Sequence, residues 1–140
     1  MDQLELVSQI MTKTVITVDE QDDLRQVLSL LNKHNVRHIP VKNGTELTGI
    51  ISKTDINRLT FGAMFENQED SDEAILELLS IPQVMTSKPR TITSDTSIKH
   101  LAEIFAKEEY HALPVVDHGV LMGIVTTTDV IKYLLDQYNS

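Results

Sequence analysis

Apolar side chains along this chain follow a helical spacing in two separate stretches. In each stretch they recur three, four and seven positions apart, which places them on one face of an α-helix. The first set is Leu24, Val27, Leu28 and Leu31, and the second is Ile98, Leu101, Ala102 and Phe105. A polar residue suited to capping a helix precedes each set, and we expect Asp22 and Thr96 to take this role. The pattern predicts two amphipathic helices.

Two pairs of short apolar runs, each pair interrupted by a turn that contains glycine, predict β-hairpins. The first hairpin covers Val36–Lys42 and Leu47–Ser52, and the second covers His111–Asp117 and Leu121–Thr126. The glycine lies one place later in the second turn, His118-Gly119, than in the first, Asn43-Gly44. We therefore expect the two turns to differ in type.

Both patterns belong to one internal repeat. A shift of 74 residues aligns Gln9–Asp55 with Gln83–Asp129 without a gap, and 12 of the 47 aligned positions are identical. Each copy also has a short extended stretch before its amphipathic helix and a second helix after its hairpin. These are Val15–Val18 and Thr54–Gly62 in the first copy, and Arg90–Thr93 and Thr128–Tyr138 in the second. The predicted element order is β-α-β-β-α, twice.

The repeat divides the chain into residues 1–62, a linker over residues 63–80, and residues 81–140. In the linker, Asp70 and Glu73 have the spacing of a capping box for a short helix. That helix would carry Ala74, Ile75, Leu78 and Leu79. Because about 50 residues bury little core alone, we expect the copies to pack sheet to sheet about an approximate two-fold axis, with a crevice on each side. The predicted fold class is α/β, with helices and sheets mixed as in α+β proteins.

Composition and charge exclude several classes of partner and location. A formal net charge of −9 argues against binding to a nucleic-acid backbone, which needs a basic face. No apolar run approaches the length that spans a membrane, and the acidic N-terminus lacks the basic residues of a signal peptide. The chain contains no cysteine, hence no disulfide or thiolate. The predicted location is the cytoplasm.

The sequence does not contain the usual signs of catalysis or metal binding. There is neither a phosphate-binding loop of the G-x-x-x-x-G-K-[ST] type nor a G-x-S-x-G nucleophile elbow. His34, His100 and His118 have no spacing that would gather a metal, so we expect them on the surface. We predict a protein that is not an enzyme, with no catalytic residue, metal ligand or required cofactor.

The candidate chemistry lies where each hairpin leads into the next helix. Gly49–Asp55 ends a buried strand with hydroxyls and a carboxylate, and Gly123–Asp129 does the same in the second copy. A helix N-terminus with hydroxyls beside it suits a phosphate, and a carboxylate can accept both hydroxyls of a ribose. The same residues also fit a helix cap with an acidic first turn. The two interpretations are compatible, since a carboxylate in a first turn can still face a ligand.

The ordered motifs of both copies resemble the signature of the cystathionine-β-synthase (CBS) domain. In the first copy these are Ile10-Met11-Thr12, Ile39-Pro40-Val41 and Gly49-x-x-Ser52-x-x-Asp55; in the second they are Val84-Met85-Thr86, Leu113-Pro114-Val115-Val116-Asp117 and Gly123-x-x-Thr126-x-x-Asp129. The resemblance implies a tandem CBS pair, or Bateman module, that binds adenosine nucleotides or S-adenosylmethionine in crevices between the copies. It also implies that the protein forms a homodimer and reports its ligand state to a regulated protein. The sequence does not identify that regulated protein.

The resemblance also assigns candidate ligand-binding residues. It implies that Asp55 and Asp129 hold a ribose, that the neighbouring hydroxyls lie near ribose and phosphate, and that the stretches around Thr17 and Thr91 lie near the base. The full set is Thr17, Arg37, His38, Ile39, Pro40, Ser52, Thr54 and Asp55 in the first copy, and Thr91, His111, Ala112, Leu113, Pro114, Thr126, Thr128 and Asp129 in the second.

Basic residues at the start of each Pro-containing strand bear on the choice of ligand. Arg37 and His38 precede Pro40, and His111 precedes Pro114. They either pair with neighbouring acids and lie along the surface, or face a phosphate, which an arginine binds bidentately. The second interpretation favours AMP, ADP or ATP over S-adenosylmethionine, whose sulfonium is itself cationic. The alternative function is a dimerisation scaffold whose sites are degenerate or empty.

Overall fold

The computed structural model describes residues 5–60 and 74–139 of the chain. The two predicted amphipathic helices are α1, Leu24–His34, and α5, Ile98–Lys107. In α1 the apolar face is buried through Leu24, Val27 and Leu31. The helix ends at Asn35, whose left-handed φ of 52° is tolerated well by asparagine.

The residues that cap these helices differ from the predicted ones by a single position. The Asp23 side chain accepts the Gln26 N–H at 2.8 Å, and Ser97 accepts the His100 N–H at 3.0 Å. The prediction of Asp22 and Thr96 was wrong because α1 begins at Leu24 and α5 at Ile98, and the capping residue directly precedes the first helical residue. Asp22 instead accepts the Asp19 N–H at 2.8 Å, which tightens the preceding turn.

Both predicted hairpins form. The first pairs β2, His38–Asn43, with β3, Glu46–Ser52; the second pairs β5, Ala112–Asp117, with β6, Val120–Thr126. Their turns differ, as expected. Gly44 alone has a positive φ in the first turn, which is typical of type II′, whereas His118 and Gly119 both do in the second, which is typical of type I′.

The extended stretches before α1 and α5 pair less than the sequence predicts. β1 covers only Val18–Asp19 and runs parallel to β2, with Val18 opposite Val41. In the second copy a single parallel bridge joins Ile92 to Val115. The Ile92 N–H donates to the Pro114 carbonyl at 3.1 Å, and the Ile92 carbonyl accepts the Val116 N–H at 2.8 Å.

The helices after the hairpins are α2, Lys53–Thr60, and α6, Thr127–Asn139. Each begins one residue earlier than predicted, and Gly62, the predicted end of the first, lies outside the described residues. In the linker, a helical segment α3 over residues 74–78 precedes α4, Ile81–Val84. The predicted capping box of Asp70 and Glu73 also lies outside the described residues. None of the helices that the structure describes has the length and apolar character needed to span a bilayer.

The chain forms two compact units that do not follow the order of the repeats. The first unit is Ile16–Pro89, and the second unit combines Met1–Val15 with Arg90–Ser140. Leu76 and Ile81, which follow the first repeat in sequence, are buried in the core of the first unit. Val7, at the start of the first repeat, is buried in the core of the second unit. Each core is therefore completed by a segment from the start of the other repeat.

Each core is thus covered by a segment exchanged from the other repeat, and these segments contain the repeated Met-Thr pairs, Met11-Thr12 and Met85-Thr86. In the first unit, β4, Thr86–Ser87, runs antiparallel to β3, and Ile50 lies opposite Thr86. In the second unit, Thr12 bridges Ile124 in the same sense. The preceding methionines, Met85 and Met11, pack against the respective cores.

Gly49 and Gly123 are required where these segments cross the hairpins. A Cβ on Gly123 would lie 2.6 Å from the Thr12 carbonyl oxygen, and a Cβ on Gly49 would lie 2.9 Å from the Thr86 carbonyl oxygen. Both are contacts with backbone, which cannot rotate away as a side chain can. The glycine of the signature is thus explained by packing against the Met-Thr segment.

We predict that Gly123→Ala destabilises the protein by about 1–3 kcal/mol, because the added methyl group displaces the Thr12 backbone. Gly49→Ala should do the same in the first unit. Urea unfolding monitored by circular dichroism measures both effects. Thr45→Ala, in the exposed turn of the first hairpin, is the control, and equal stabilities of Gly123→Ala and this control would contradict the packing account.

A side-chain contact at the end of β5 distinguishes the second unit from the first. The Ser94 hydroxyl and the Ser94 N–H both donate to the Asp117 carboxylate, the N–H to Oδ1 at 2.9 Å. These bonds hold the pKa of Asp117 below its ordinary value of 3.8, and the bond from the hydroxyl has the larger effect. The nearby His118 lowers this pKa as well. The position equivalent to Asp117 in the first copy is Asn43, which carries no charge.

We predict that Ser94→Ala destabilises the protein at neutral pH but has progressively less effect as the pH falls below 3.8. A carboxyl group whose pKa is lower in the folded state stabilises the fold above its unfolded pKa and loses that contribution as it becomes protonated. Unfolding midpoints measured from pH 7 to pH 2.5 test this. In an Asp117→Asn background the effect of Ser94→Ala should not vary with pH, and a persisting pH dependence there would assign it to another group.

Candidate functional site

Reciprocal hydrogen bonds join the end of each hairpin to the helix that follows. The Ser52 N–H donates to Asp55 Oδ2 at 2.8 Å, and the Asp55 N–H donates to Ser52 Oγ at 3.1 Å. In the second unit, Thr126 and Asp129 form the same pair of bonds at 2.9 and 3.2 Å. These are capping boxes, so the capping interpretation of both sequence stretches is confirmed.

The capping box leaves acceptor capacity on each aspartate. A carboxylate offers about four lone-pair directions, and only Oδ2 of Asp55 accepts the Ser52 N–H. The Asp55 side chain is 19% exposed, so the rest of the group can be reached from solvent. The backbone bond fixes the orientation of the carboxylate, and the other oxygen can accept hydroxyl groups of a ligand.

The first turn of each helix also presents backbone donors. The Lys53 N–H is occupied by the Arg37 carbonyl at 2.8 Å, and the Thr127 N–H by the His111 carbonyl at 3.0 Å. The next N–H, on Thr54 or Thr128, has no acceptor within its own helix because it precedes the first intrahelical bond. Both threonines are exposed. A donor and a hydroxyl are therefore available at the positive end of each helix.

The strand register places further predicted residues beside the caps. His38 lies opposite Ser52 and Pro40 opposite Ile50 in the first hairpin. Directly opposed residues of an antiparallel pair share one face of the sheet, so His38 and Pro40 are on the Ser52 side. In the second hairpin Ala112 lies opposite Thr126 and Pro114 opposite Ile124 in the same way.

Five predicted residues are buried. The side chains of Ile39 and Leu113 lie in the cores of their units, and Pro40, Ala112 and Pro114 are buried as well, so these side chains do not face solvent. Thr17 is half-buried beside β1, and Thr91 is exposed next to the bridged Ile92. All predicted residues of the first copy lie in the first unit, and all those of the second copy lie in the second unit.

Cations lie close to the first cap. Arg58 Nη1 is 3.9 Å from Asp55 Oδ1 and is largely exposed. Arg37, exposed as well, is fixed to the same helix end by its carbonyl. Arg58 was not among the predicted binding residues, although its position three residues after Asp55 on a helix is a usual spacing for such a pair. Across the described part of the chain, histidines and acids form no group that could hold a metal ion.

The sequence of both units matches one family model, that of the CBS domain, at residues 7–61 and again at residues 81–136. The chain belongs to the CBS-domain family. The order β-α-β-β-α, the paired hairpins and the two capping boxes are the features of this chain that correspond to the two matched regions.

Relatives with known structures share the architecture of this CBS pair. Protein MJ1225 of Methanocaldococcus jannaschii is 28% identical over 134 residues, which are 94% of this chain and 48% of that protein. Its crystal structure covers 96% of this chain, and 49% of that chain is matched, with a TM-score of 0.81. The chain thus spans about half the length of MJ1225.

Two solved CBS pairs contain adenosine compounds. The CBS pair of protein MJ0100, in complex with 5′-methylthioadenosine and S-adenosyl-L-methionine, is 27% identical and covers 96% of this chain and 98% of its own, with a TM-score of 0.77. CBSX2 of Arabidopsis thaliana in complex with AMP is 24% identical, with 96% and 98% covered and a TM-score of 0.79. At that identity the second likeness concerns the fold. Some matched relatives are enzymes, of which the chain covers 22–24%.

We predict that Ser52→Ala and Thr126→Ala each cost about 1 kcal/mol of stability, because each removes the side-chain acceptor of a helix cap. Ser52→Thr, which copies the second unit, should be close to neutral. Thermal unfolding measures the effect. Thr54→Ala is the control, since its hydroxyl makes no hydrogen bond to another described residue, and a Ser52→Ala protein as stable as this control would contradict the role of the cap.

Proposed function

We propose that the chain is a regulatory module that binds an adenosine compound in each unit and carries out no chemistry on it. The observation that carries this proposal is the pair of equivalent capping boxes. Each holds a carboxylate, a hydroxyl and an unused backbone N–H at the start of one helix. A ribose needs acceptors for two hydroxyls and a phosphate needs donors, so one helix end offers both.

The residues around each cap take separate roles in this proposal. Asp55 and Asp129 accept the ribose hydroxyls through the part of the carboxylate that the cap leaves unused. Thr54 and Thr128 donate to the group at the 5′ position. Thr17 and Thr91 lie beside the adenine.

The proposed ligands are AMP, ADP or ATP, with S-adenosylmethionine as the alternative. Arg37, His38 and His111 support a phosphate group, since arginine and histidine donate to phosphate oxygens. The complex of MJ0100 with 5′-methylthioadenosine and S-adenosyl-L-methionine supports the adenosine moiety without requiring a phosphate. Both lines agree on the nucleoside and differ on the 5′ group.

The proposed mechanism is a shift between conformations of the module. A ligand shifts such an equilibrium only by its difference in affinity for the two states. We infer that the module acts as a homodimer in the cytoplasm and that a separate regulated protein responds to the shift. The second candidate function is a dimerisation scaffold with empty sites. It is supported by the unequal charges of the two units.

We predict that calorimetric titration with adenosine ligands gives saturable binding that depends on the two aspartates. Asp55→Asn combined with Asp129→Asn keeps an oxygen for each cap but removes the charge and the second carboxylate oxygen from each ribose site. Affinity should fall at least about tenfold, equivalent to about 1.4 kcal/mol. The panel is AMP, ADP, ATP, 5′-methylthioadenosine and S-adenosylmethionine.

The matched control is Asp136→Asn, on the exposed C-terminal part of α6, which should bind as the wild type does. Absence of binding by every member of the panel at millimolar concentration would reject the sensor and favour the scaffold. Equal affinity of the wild type and the double variant would instead remove the aspartates from the site. Unchanged nucleotide concentrations after incubation check that no hydrolysis occurs.

A further inference from the structure

We propose that the two units select different 5′ groups: the first unit takes polyphosphorylated adenosine, and the second takes adenosine compounds with little negative charge. This inference rests on the proposed function, because it assigns a ligand class to each of the two sites. The inference is based on a difference in charge between the two helix starts. The set of hydrogen bonds that holds each helix start, here called its framework, is the same in both units.

The frameworks agree closely. The capping bonds measure 2.8 and 3.1 Å in the first unit and 2.9 and 3.2 Å in the second. The bond that ties the start of the hairpin to the helix measures 2.8 Å from Lys53 to Arg37 and 3.0 Å from Thr127 to His111. Because the same three bonds form in both units with similar lengths, we look for the difference in selectivity in the side chains around them.

The side chains on these frameworks differ strongly in charge. Near its helix start the first unit has Arg37, Lys53, Arg58 and the carboxylate of Asp55, with His38 opposite Ser52. At the equivalent positions the second unit has His111, Thr127, Lys132 and Asp129, with Ala112 beside Thr126. At these positions the first unit therefore has three permanent cations and one carboxylate, whereas the second unit has one permanent cation and one carboxylate.

The three cations of the first unit are attached to the backbone near one helix start. Arg58 Nη1 lies 3.9 Å from Asp55 Oδ1, Lys53 is the first residue of α2, and the Arg37 backbone is hydrogen-bonded to Lys53. All three therefore start within about one helical turn of the donor group on Thr54. They are exposed, so each contributes modestly and its effect is screened by salt. A ligand with several negative charges gains from all three at once.

The second unit offers a different environment. Thr127 provides a hydroxyl in place of the Lys53 ammonium group, and Ala112 removes the imidazole from the strand beside the cap. Lys132 balances Asp129, which leaves no excess positive charge for a triphosphate. A thioether or a sulfonium group at the 5′ position meets no comparable repulsion there. The chemistry thus matches a phosphate-free adenosine compound.

The test is calorimetry with ATP and 5′-methylthioadenosine on proteins that retain one site. Asp129→Asn leaves the first unit, and Asp55→Asn leaves the second. ATP should bind the first unit about tenfold or more tightly than 5′-methylthioadenosine, and this preference should shrink as KCl is raised from 50 to 500 mM. The second unit should bind 5′-methylthioadenosine at least as tightly as ATP.

Charge exchange between the units uses only residues that the chain already contains. Arg37→His with Lys53→Thr and Arg58→Lys should lower the affinity of the first unit for ATP about tenfold and leave that for 5′-methylthioadenosine within about twofold. His111→Arg with Thr127→Lys should give the second unit a preference for ATP. Lys33→Thr combined with Lys107→Thr, on exposed parts of α1 and α5, removes the same two positive charges as the first-unit variant and controls for its change in net charge.

Each result separates this inference from the proposed function. If ATP and 5′-methylthioadenosine both bind, but with the same ratio of affinities in the two units, the division by charge is overturned and the adenosine sites stand. If charge exchange leaves the ratio unchanged, the cations do not set it and the inference is likewise rejected. If neither compound binds the wild-type protein, both the proposed function and the inference fail.

Discussion

The capping box at the start of α2 and α6 is the interaction on which the rest of the site depends. It satisfies two backbone N–H groups that a helix N-terminus and a strand end would otherwise leave open. In doing so it fixes Asp55 and Asp129 in one orientation. A carboxylate on a free side chain would lose conformational entropy on meeting a ligand, whereas these two are already held. Helix stability and readiness to bind are thus properties of the same bonds.

The second constraint is the exchange of the Met-Thr segments. A hairpin and two helices of one repeat leave part of the core open, and residues from the start of the other repeat cover it. The crossing is close enough that only glycine fits on the hairpin beneath it. Because the hairpin also carries the cap at its end, packing around Gly49 and Gly123 bears directly on the position of Asp55 and Asp129. The module is therefore a product of both repeats in each of its units.

Local features of the sequence predicted much of the fold. Helical spacing identified the helices that begin at Leu24 and Ile98, and the glycine positions identified two hairpins with different turns. The caps were misplaced by one residue because Asp22 and Asp23, like Thr96 and Ser97, are chemically similar neighbours, and only backbone geometry decides between them. The exchange of segments could not be predicted, since periodicity reports which face of an element is buried and not which part of the chain covers it.

For the site, the sequence predicted the hydroxyls and carboxylates because their spacing repeats at the same offset in both copies. It did not select Arg58, whose relevance depends on the side of α2 that Asp55 occupies. The burial of Ile39 and Leu113 was likewise hidden, since strand residues within a binding motif can face either the ligand or the core. The structure adds that both units share the same hydrogen bonds at the helix start. The difference in charge between the units can therefore be compared at equivalent positions.

Amide NMR of the labelled protein during titration with AMP tests the central claim most directly. The claim is that each capped helix start is a binding site for an adenosine compound. The account predicts saturable shifts at the amides of Thr54 and Thr128, and of the cap residues Ser52 and Thr126, that are larger than those along α1 and α5. Shifts absent from both helix starts, while AMP binds elsewhere in the protein, would contradict it.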